Sequence, residues 1–248
     1  MKNLKMTLHD AHLHIKNDRL VHVLKEAHIE CIANAANDEE YHFLKQMQKE
    51  YKGITISFGI HPWNSETYTF EQMLPYLNEA CIIGEIGMDK VWCDCDLQKQ
   101  QSLFEQQLAF ASNHHKPVIL HTKGMEKEIL SCIKKYPNTY LVHWYSCDQY
   151  LQEYIDYGCY FTIGASVMMD EAVYQVALEV PLQRMLLESD GIDALSWAFD
   201  KVMSEEDYVA YLHQHLQLLA TLRHVNYDDL LRQLHNNYHR FINSKECI

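Results

Sequence analysis

The stretch MTLHDAHLH, residues 6–14, reads as a short β-strand whose last positions carry Asp10, His12 and His14. Side chains alternate faces along a strand, so all three are expected to point the same way. Two imidazoles at i and i+2 can grip one divalent cation from one side, with the preceding carboxylate supporting them. Sixteen histidines in 248 residues give about one His-x-His by chance, so the pair gains meaning only from the rest of the chain.

Downstream of this strand the sequence alternates. Short apolar, β-rich runs fall at 6–13, 31–35, 54–59, 81–86, 117–120, 140–144, 159–163 and 185–188. Between them, helical periodicity covers 18–28, 39–50, 70–78, 97–114, 125–135, 148–157 and 172–180, with two further helices predicted at 205–224 and 227–241. Strands alternating with helices imply parallel pairing through right-handed crossovers. Eight such units in a chain of this length predict an α/β fold, a closed (β/α)8 TIM-type barrel forming a single domain over residues 1–248. An open doubly wound sheet would carry a glycine-rich phosphate turn after its first strand, and none is present. With 8 Gly and 5 Pro in all, no stretch reads as a linker.

A net charge of −13 argues against a broad basic face for nucleic acid, although bound metals and a few local cations can reverse the sign inside one pocket. The eight cysteines are scattered without a C-x-x-C pair, and the N-terminus shows no secretory signal. A cytoplasmic protein with reduced thiols is expected, with no membrane association and no stable protein partner. Cys93 and Cys95 as a soft metal site rank below that reading.

Ionisable residues recur at the ends of the predicted strands: His12 and His14 on the first, His61 after the third, Glu85 near the end of the fourth between Gly84 and Gly87, His121 on the fifth, His143 on the sixth and Asp190 on the eighth. Barrel strands converge at their C-terminal ends, which would gather these groups at one mouth. Leaving His61 aside, four histidines, Glu85 and Asp190 make six ligands, which exceed what one tetrahedral ion takes and suit two ions sharing a carboxylate, an arrangement that generates hydroxide near neutral pH.

The segments DAHLH (10–14), GIHP (59–62), IGEIGMD (83–89), LQKQQSLFEQQLAFA (97–111), PVILH (117–121), LVHWYS (141–146), LLESD (186–190) and NYHRF (237–241) resemble the TatD family of metal-dependent deoxyribonucleases, in family order across nearly the whole chain. The resemblance implies a dinuclear centre of divalent ions (Zn, Mg or Mn) and DNA as substrate, cleaved from an end. By it, His12 and His14 hold one metal, Glu85 bridges, His121 and His143 hold the second, and Asp190 completes the first and takes the proton of the attacking water. His61 and Lys123 would then lie beside the substrate phosphate. The chain departs from the family pattern at Trp63, where a second His is usual, and at Lys123, where Arg is usual. It departs again along Trp144–Cys147 and at Gly191-Ile192, where Ser or Ala and then Pro are usual. The departures surround the substrate rather than the metals. They leave open a barrel hydrolase acting on another ester, amide or small phosphate, or a non-catalytic metal-binding relative.

Other readings compete residue by residue. Asp190 could instead cap the following helix, His61 could stabilise the turn at Pro62, and Lys123 could be a solvated loop cation. Trp63, Trp92, Trp144 and Tyr145 fit a base-stacking wall as well as they fit rim packing. His213, His215, His235 and His239 read as surface or packing residues: the first pair does not share a helical face, and the second lacks the Glu of a zincin helix.

Overall fold

The computed structural model describes residues 6–244. Eight strands pair in parallel, in chain order, into one sheet: β1 (His9–Leu13), β2 (Glu30–Ala35), β3 (Ile54–Phe58), β4 (Ile82–Asp89), β5 (Val118–Lys123), β6 (Tyr140–Val142), β7 (Tyr160–Ile163) and β8 (Met185–Leu187). The crossovers carry α1 (Asp18–Ala27), α2 (Asp38–Glu50), α3 (Phe70–Glu79), α4 (Leu97–Asn113), α5 (Glu126–Ile133), α6 (Leu151–Tyr157) and α7 (Glu171–Glu179). After β8 come α8 (Ile192–Ala198), α9 (Glu205–Leu222) and α10 (Tyr227–Ile242). The expected TIM-type barrel is therefore present, nearly closed, as one domain.

No regular ladder joins β8 to β1, and a polar seam does the joining instead. The Asp190 N–H donates to His12 O (3.0 Å), the Ser189 N–H donates to Asp10 Oδ1 (3.2 Å), and Tyr208 Oη of α9 donates to Asp10 Oδ2 (2.6 Å). Burial lifts the Asp10 carboxyl to about 7 against the pull of these donors. Inside the barrel, seven strands each contribute one side chain to a buried layer of Ala11, Ile32, Ile82, Ile119, Leu141, Tyr160 and Leu186, and Tyr238 and Phe241 of α10 close it. Burying an aromatic side chain of this kind contributes about 2–3 kcal/mol. Helix α10 lies at the N-terminal ends of the strands: Asn237 Nδ2 donates to Leu182 O and Met185 O, and Tyr238 packs against His9. The opposite end is left for chemistry.

Two strand boundaries differ from expectation in ways that matter. Strand β4 runs three residues beyond Ile86, so Glu85 sits mid-strand rather than at its end. Strand β6 stops at Val142, short of the expected 144, because Trp144 has φ +36°, a backbone that cannot continue a ladder. The short helix α8 had no sequence signature, being only seven residues with Leu195 alone fully buried.

Candidate metal centre

The first strand does not present Asp10, His12 and His14 on one face. Asp10 pairs with Cys31 but Leu13 with Ala33, so β1 spends three steps where β2 spends two. This extra residue is a β-bulge, and it flips the alternation. Asp10 faces outward to Tyr208, whereas Ala11 and His12 both face in. The same device recurs in β4, where Ile83 pairs with Val118 and Ile86 with Leu120. It turns Glu85 inward, beside Gly84, while Ile86 returns to the outer core. The glycines beside Glu85 serve the neighbouring strand rather than a ligand: a Cβ on Gly87 would lie 1.9 Å from His121 O.

The structure brings His12, His14, His61, Glu85, His121, His143 and Asp190 together. Glu85 is the hub, and its two oxygens face different imidazoles. Oε1 lies 2.7 Å from His121 Nδ1, 3.0 Å from His143 Nε2 and 3.8 Å from His61 Nε2. Oε2 lies 3.5 Å from His12 Nε2 and 3.8 Å from His14 Nε2. Asp190 Oδ1 lies 3.4 Å from His12 Nε2 and 3.7 Å from His14 Nε2, on the Oε2 side. Burial pushes the Glu85 carboxyl up, yet the surrounding rings, His143 and His121 foremost, hold it well below the usual carboxylate range. Burial and the His143 ring press down on His12, while Asp190 and Glu85 outweigh them and lift it to about 9.

Asp190 does not cap α8. That helix starts after Gly191 with no side-chain cap, and Asp190 takes φ +60° to turn its carboxylate back over the barrel. Gly191 comes next at φ +92°, where a Cβ would stand 2.6 Å from His14 O, so the residue after this aspartate must be glycine here.

Two buried carboxylates that sequence reasoning passed over orient the histidines. His121 Nε2 donates to Asp89 Oδ2 (2.9 Å), which turns Nδ1 toward Glu85. His143 Nδ1 lies 3.2 Å from Glu188 Oε2, which turns Nε2 toward Glu85. Such carboxylate–histidine pairs fix the tautomer of a metal-ligating ring. A signal existed for Glu188: it follows directly on the apolar run of β8 and, two residues on from Leu186, continues the face that points into the barrel. Asp89 was hidden by the mistaken end of β4. Trp63 Nε1 donates to that same Asp89 Oδ2 (2.7 Å), so the departure from the family's His has a definite role.

His61 is more deeply set than a phosphate ligand at the rim. Its Nδ1 accepts the Trp63 N–H (3.2 Å), its Nε2 stands 3.3 Å from His121 Nδ1, and burial drives its pKa down to about 3. Lys123 is not a solvated loop cation: its Nζ donates to Ser146 Oγ (2.6 Å) and Trp144 O (3.2 Å) at the mouth.

Above the cluster a cavity of about 280 Å³ is lined by Lys123, Ser146, Asp170 and all four tryptophans of the chain, Trp63, Trp92, Trp144 and Trp197. Trp197 replaces Tyr145 in the expected wall. Tyr145 is fully buried against Tyr154, while Trp197 meets Trp92 edge-on at 5.7 Å between ring centroids.

The donor set fits divalent metal. His12 is wholly buried, and neither ring nitrogen makes a hydrogen bond of normal length. An imidazole so placed lacks a partner that a cation between it and the two carboxylates would provide. Three nitrogen and carboxylate triads within the cluster each have the compactness to hold an ion: His12, His14 and Glu85; His12, His143 and Asp190; and His61, Glu85 and His121.

Residues 9–243 match the family model described as TatD related DNase. The chain belongs to the TatD family. It is 25% identical over 224 residues, 86% of this chain and 85% of the other, to the uncharacterized metal-dependent hydrolase YjjV of Escherichia coli. It is 26% identical to the deoxyribonuclease Tat-D of Schizosaccharomyces pombe over 64% of this chain and 56% of that one. The crystal structure of YjjV superposes with a TM-score of 0.83 at 23% identity, covering 95% of this chain and 98% of that chain. The chain is thus a TatD-family metal-dependent hydrolase, and its substrate is a separate question.

Proposed function

We propose that this TatD protein is a deoxyribonuclease that removes nucleotides from the end of a DNA strand, using two divalent ions. The observation that carries the reading is Glu85, whose Oε2 faces the His12–His14–Asp190 side and whose Oε1 faces His121 and His143. A carboxylate set so between two ligand groups is suited to bridge a pair of metals. His12, His14 and Asp190 would hold one ion, His121 and His143 the other, with His61 near enough to join the second. Divalent ions at these positions would supply Lewis acidity and lower the pKa of a water molecule.

The remaining work falls to the protein's own side chains. Burial raises the Asp190 carboxyl, but His12 and the neighbouring rings hold it below its ordinary value, so Oδ1 is ionised at neutral pH and can accept a proton from water. The tryptophans offer flat faces on which terminal bases stack, worth about 1–3 kcal/mol per base. Lys123 places a positive charge at the same rim, where a phosphate would meet it. The relatives named deoxyribonuclease Tat-D and the human 3'-5' RNA nuclease TATDN2 support a nucleic-acid substrate, the first of them DNA. The described cysteines are all free, consistent with a cytoplasmic setting, and no described helix is long and apolar enough to cross a membrane.

One observation favours a second reading, hydrolysis of a smaller phosphate, ester or amide. Lys123 lacks the bidentate fork of arginine and is already tied to Ser146 and Trp144. Incubating the protein, reconstituted in turn with Mg²⁺, Mn²⁺ and Zn²⁺, with single strands labelled at the 3′ or 5′ end separates the two. Progressive shortening from one end is expected. Intact strands with every metal, beside turnover of a non-nucleotide ester, would replace the first reading by the second.

A further inference from the structure

At the other end of the barrel stands a second histidine cluster that the hydrolase chemistry does not use. His9 opens β1, and Glu30, its register partner, opens β2. Their side chains meet at 3.2 Å (Nε2 to Oε2). Helix α10 crosses these strand starts and presents His235 and His239, which are one turn apart and therefore on one face. His239 Nε2 lies 3.5 Å from the same Glu30 oxygen. Ring centroids are 4.9 Å apart for His9 and His235, 5.2 Å for His9 and His239, and 4.5 Å for His235 and His239. One nitrogen from each ring lies within 4.8 Å of the others, and His235 Nδ1 is buried without a hydrogen-bond partner.

Packing alone does not account for this arrangement. Three imidazoles turned on a shared space crowd their lone pairs or their protons, and one carboxylate cannot satisfy them all. A cation at the centre would relieve the conflict. We propose that His9, His235, His239 and Glu30 form a separate site for one Zn²⁺ or similar borderline ion. The three imidazoles form the compact group, and the Glu30 carboxylate, which touches His9 and His239, is the nearest fourth donor for a tetrahedral ion, the closed form of a structural rather than a catalytic site. Zn–N bonds of about 2.0–2.1 Å place tetrahedral ligands about 3.4 Å apart, so nitrogens that lie within 4.8 Å of one another need draw in by at most about 1.4 Å. Mg²⁺ and Ca²⁺ prefer oxygen donors and would not compete. The four ligands come from β1, β2 and α10, so the ion would clamp the C-terminal helix to the strand that closes the barrel.

The test uses the full chain and Zn²⁺ itself. In equilibrium dialysis, wild-type protein is expected to hold one more Zn²⁺ than either His235→Gln or His239→Gln. The affinity of that extra ion should fall at least about 100-fold in each variant, since loss of a ligand exceeds the 10–100-fold effect of losing a ligand's own support. Zn²⁺, and not Mg²⁺, should raise the wild-type Tm more than that of either variant, while hydrolytic activity is unchanged. A measurement on unmutated protein guards against misfolded variants: with 15N-labelled histidine, Zn²⁺ should shift the ring resonances of His9, His235 and His239. Equal Zn²⁺ stoichiometry in wild type and folded variants, or unmoved resonances for these three rings, would overturn the proposal.

Discussion

Asp190 shows how much one residue's backbone decides. Its φ of +60° costs a non-glycine side chain energy and is tolerated because the carboxylate then reaches His12. Asp190→Asn keeps the shape and removes the carboxylate proposed above as the proton acceptor. Turnover should fall by about 10²–10⁴-fold, the usual contribution of a general base, with metal still partly retained. Unchanged kcat in the folded variant would remove Asp190 from the proton-accepting role. Asp89 acts on the metal centre through another residue. Asp89→Asn can present an N–H to His121 Nε2 in place of an acceptor, which favours the wrong tautomer, and it weakens the bond from Trp63. Metal affinity at the Glu85–His121–His143 side should drop about 10–100-fold, while the affinity of the His12–His14 side stays near wild type. Isothermal titration would resolve the two. Equal weakening at both sides would show that Asp89 merely holds the fold. His213 and His215 behave as their helical spacing suggests, one bonded to Tyr227 at the surface and one in the core. His235 and His239 share one face of α10, as their spacing implies, and pack against His9, a contact that no local pattern reports because His9 lies more than 220 positions away.

At the scale of elements, the alternation of strands and helices was legible because each unit carries its own periodicity. The histidine- and carboxylate-bearing strand ends were legible because polar residues interrupt apolar runs. Illegible were the two bulges, since an inserted residue leaves β1 and β4 reading as ordinary strands until their neighbours' registers are known. Tertiary capping is equally invisible. Lys116, at the start of β5, buries its ammonium under the C-terminal end of α3 and donates to Leu77 O, Asn78 O and Ala80 O, each at 2.7 Å. These are carbonyls that a helix end leaves without intrahelical partners, at the negative pole of its dipole. Lys116→Met preserves the aliphatic stem but strands buried acceptors. Urea unfolding should report a loss of about 2–4 kcal/mol, within the range for buried groups left without a charged donor. A loss below about 0.5 kcal/mol would mean that water takes over the task.

For the molecule as a whole, the chain's net charge of −13 suggests that acid would simply relieve repulsion, but a buried histidine opposes that trend. His215, on α9, is fully enclosed, donates from Nε2 to Ile163 O at the end of β7 (2.9 Å) and stacks on Tyr211 with ring centroids 5.3 Å apart. Burial lowers its pKa to about 4, against an ordinary 6.5, despite that hydrogen bond. Above pH 6.5 the ring is neutral in both folded and unfolded chains and contributes no pH dependence. Between 6.5 and 4 only the unfolded chain takes up the proton, so stability declines as the pH falls. Below 4 the folded chain is protonated as well, and the loss levels off. A separation of this size corresponds to about 3 kcal/mol at most. His215→Gln keeps an N–H able to reach Ile163 O but does not titrate. Unfolding free energies measured from pH 7 to pH 4 should therefore fall less steeply in the variant than in wild type, by up to about 3 kcal/mol over the window. Other groups titrate here too, but they are common to both proteins and cancel in the difference. Parallel curves would place the acid sensitivity elsewhere, and the rings around Glu85 would be the next to measure, with metal bound and removed.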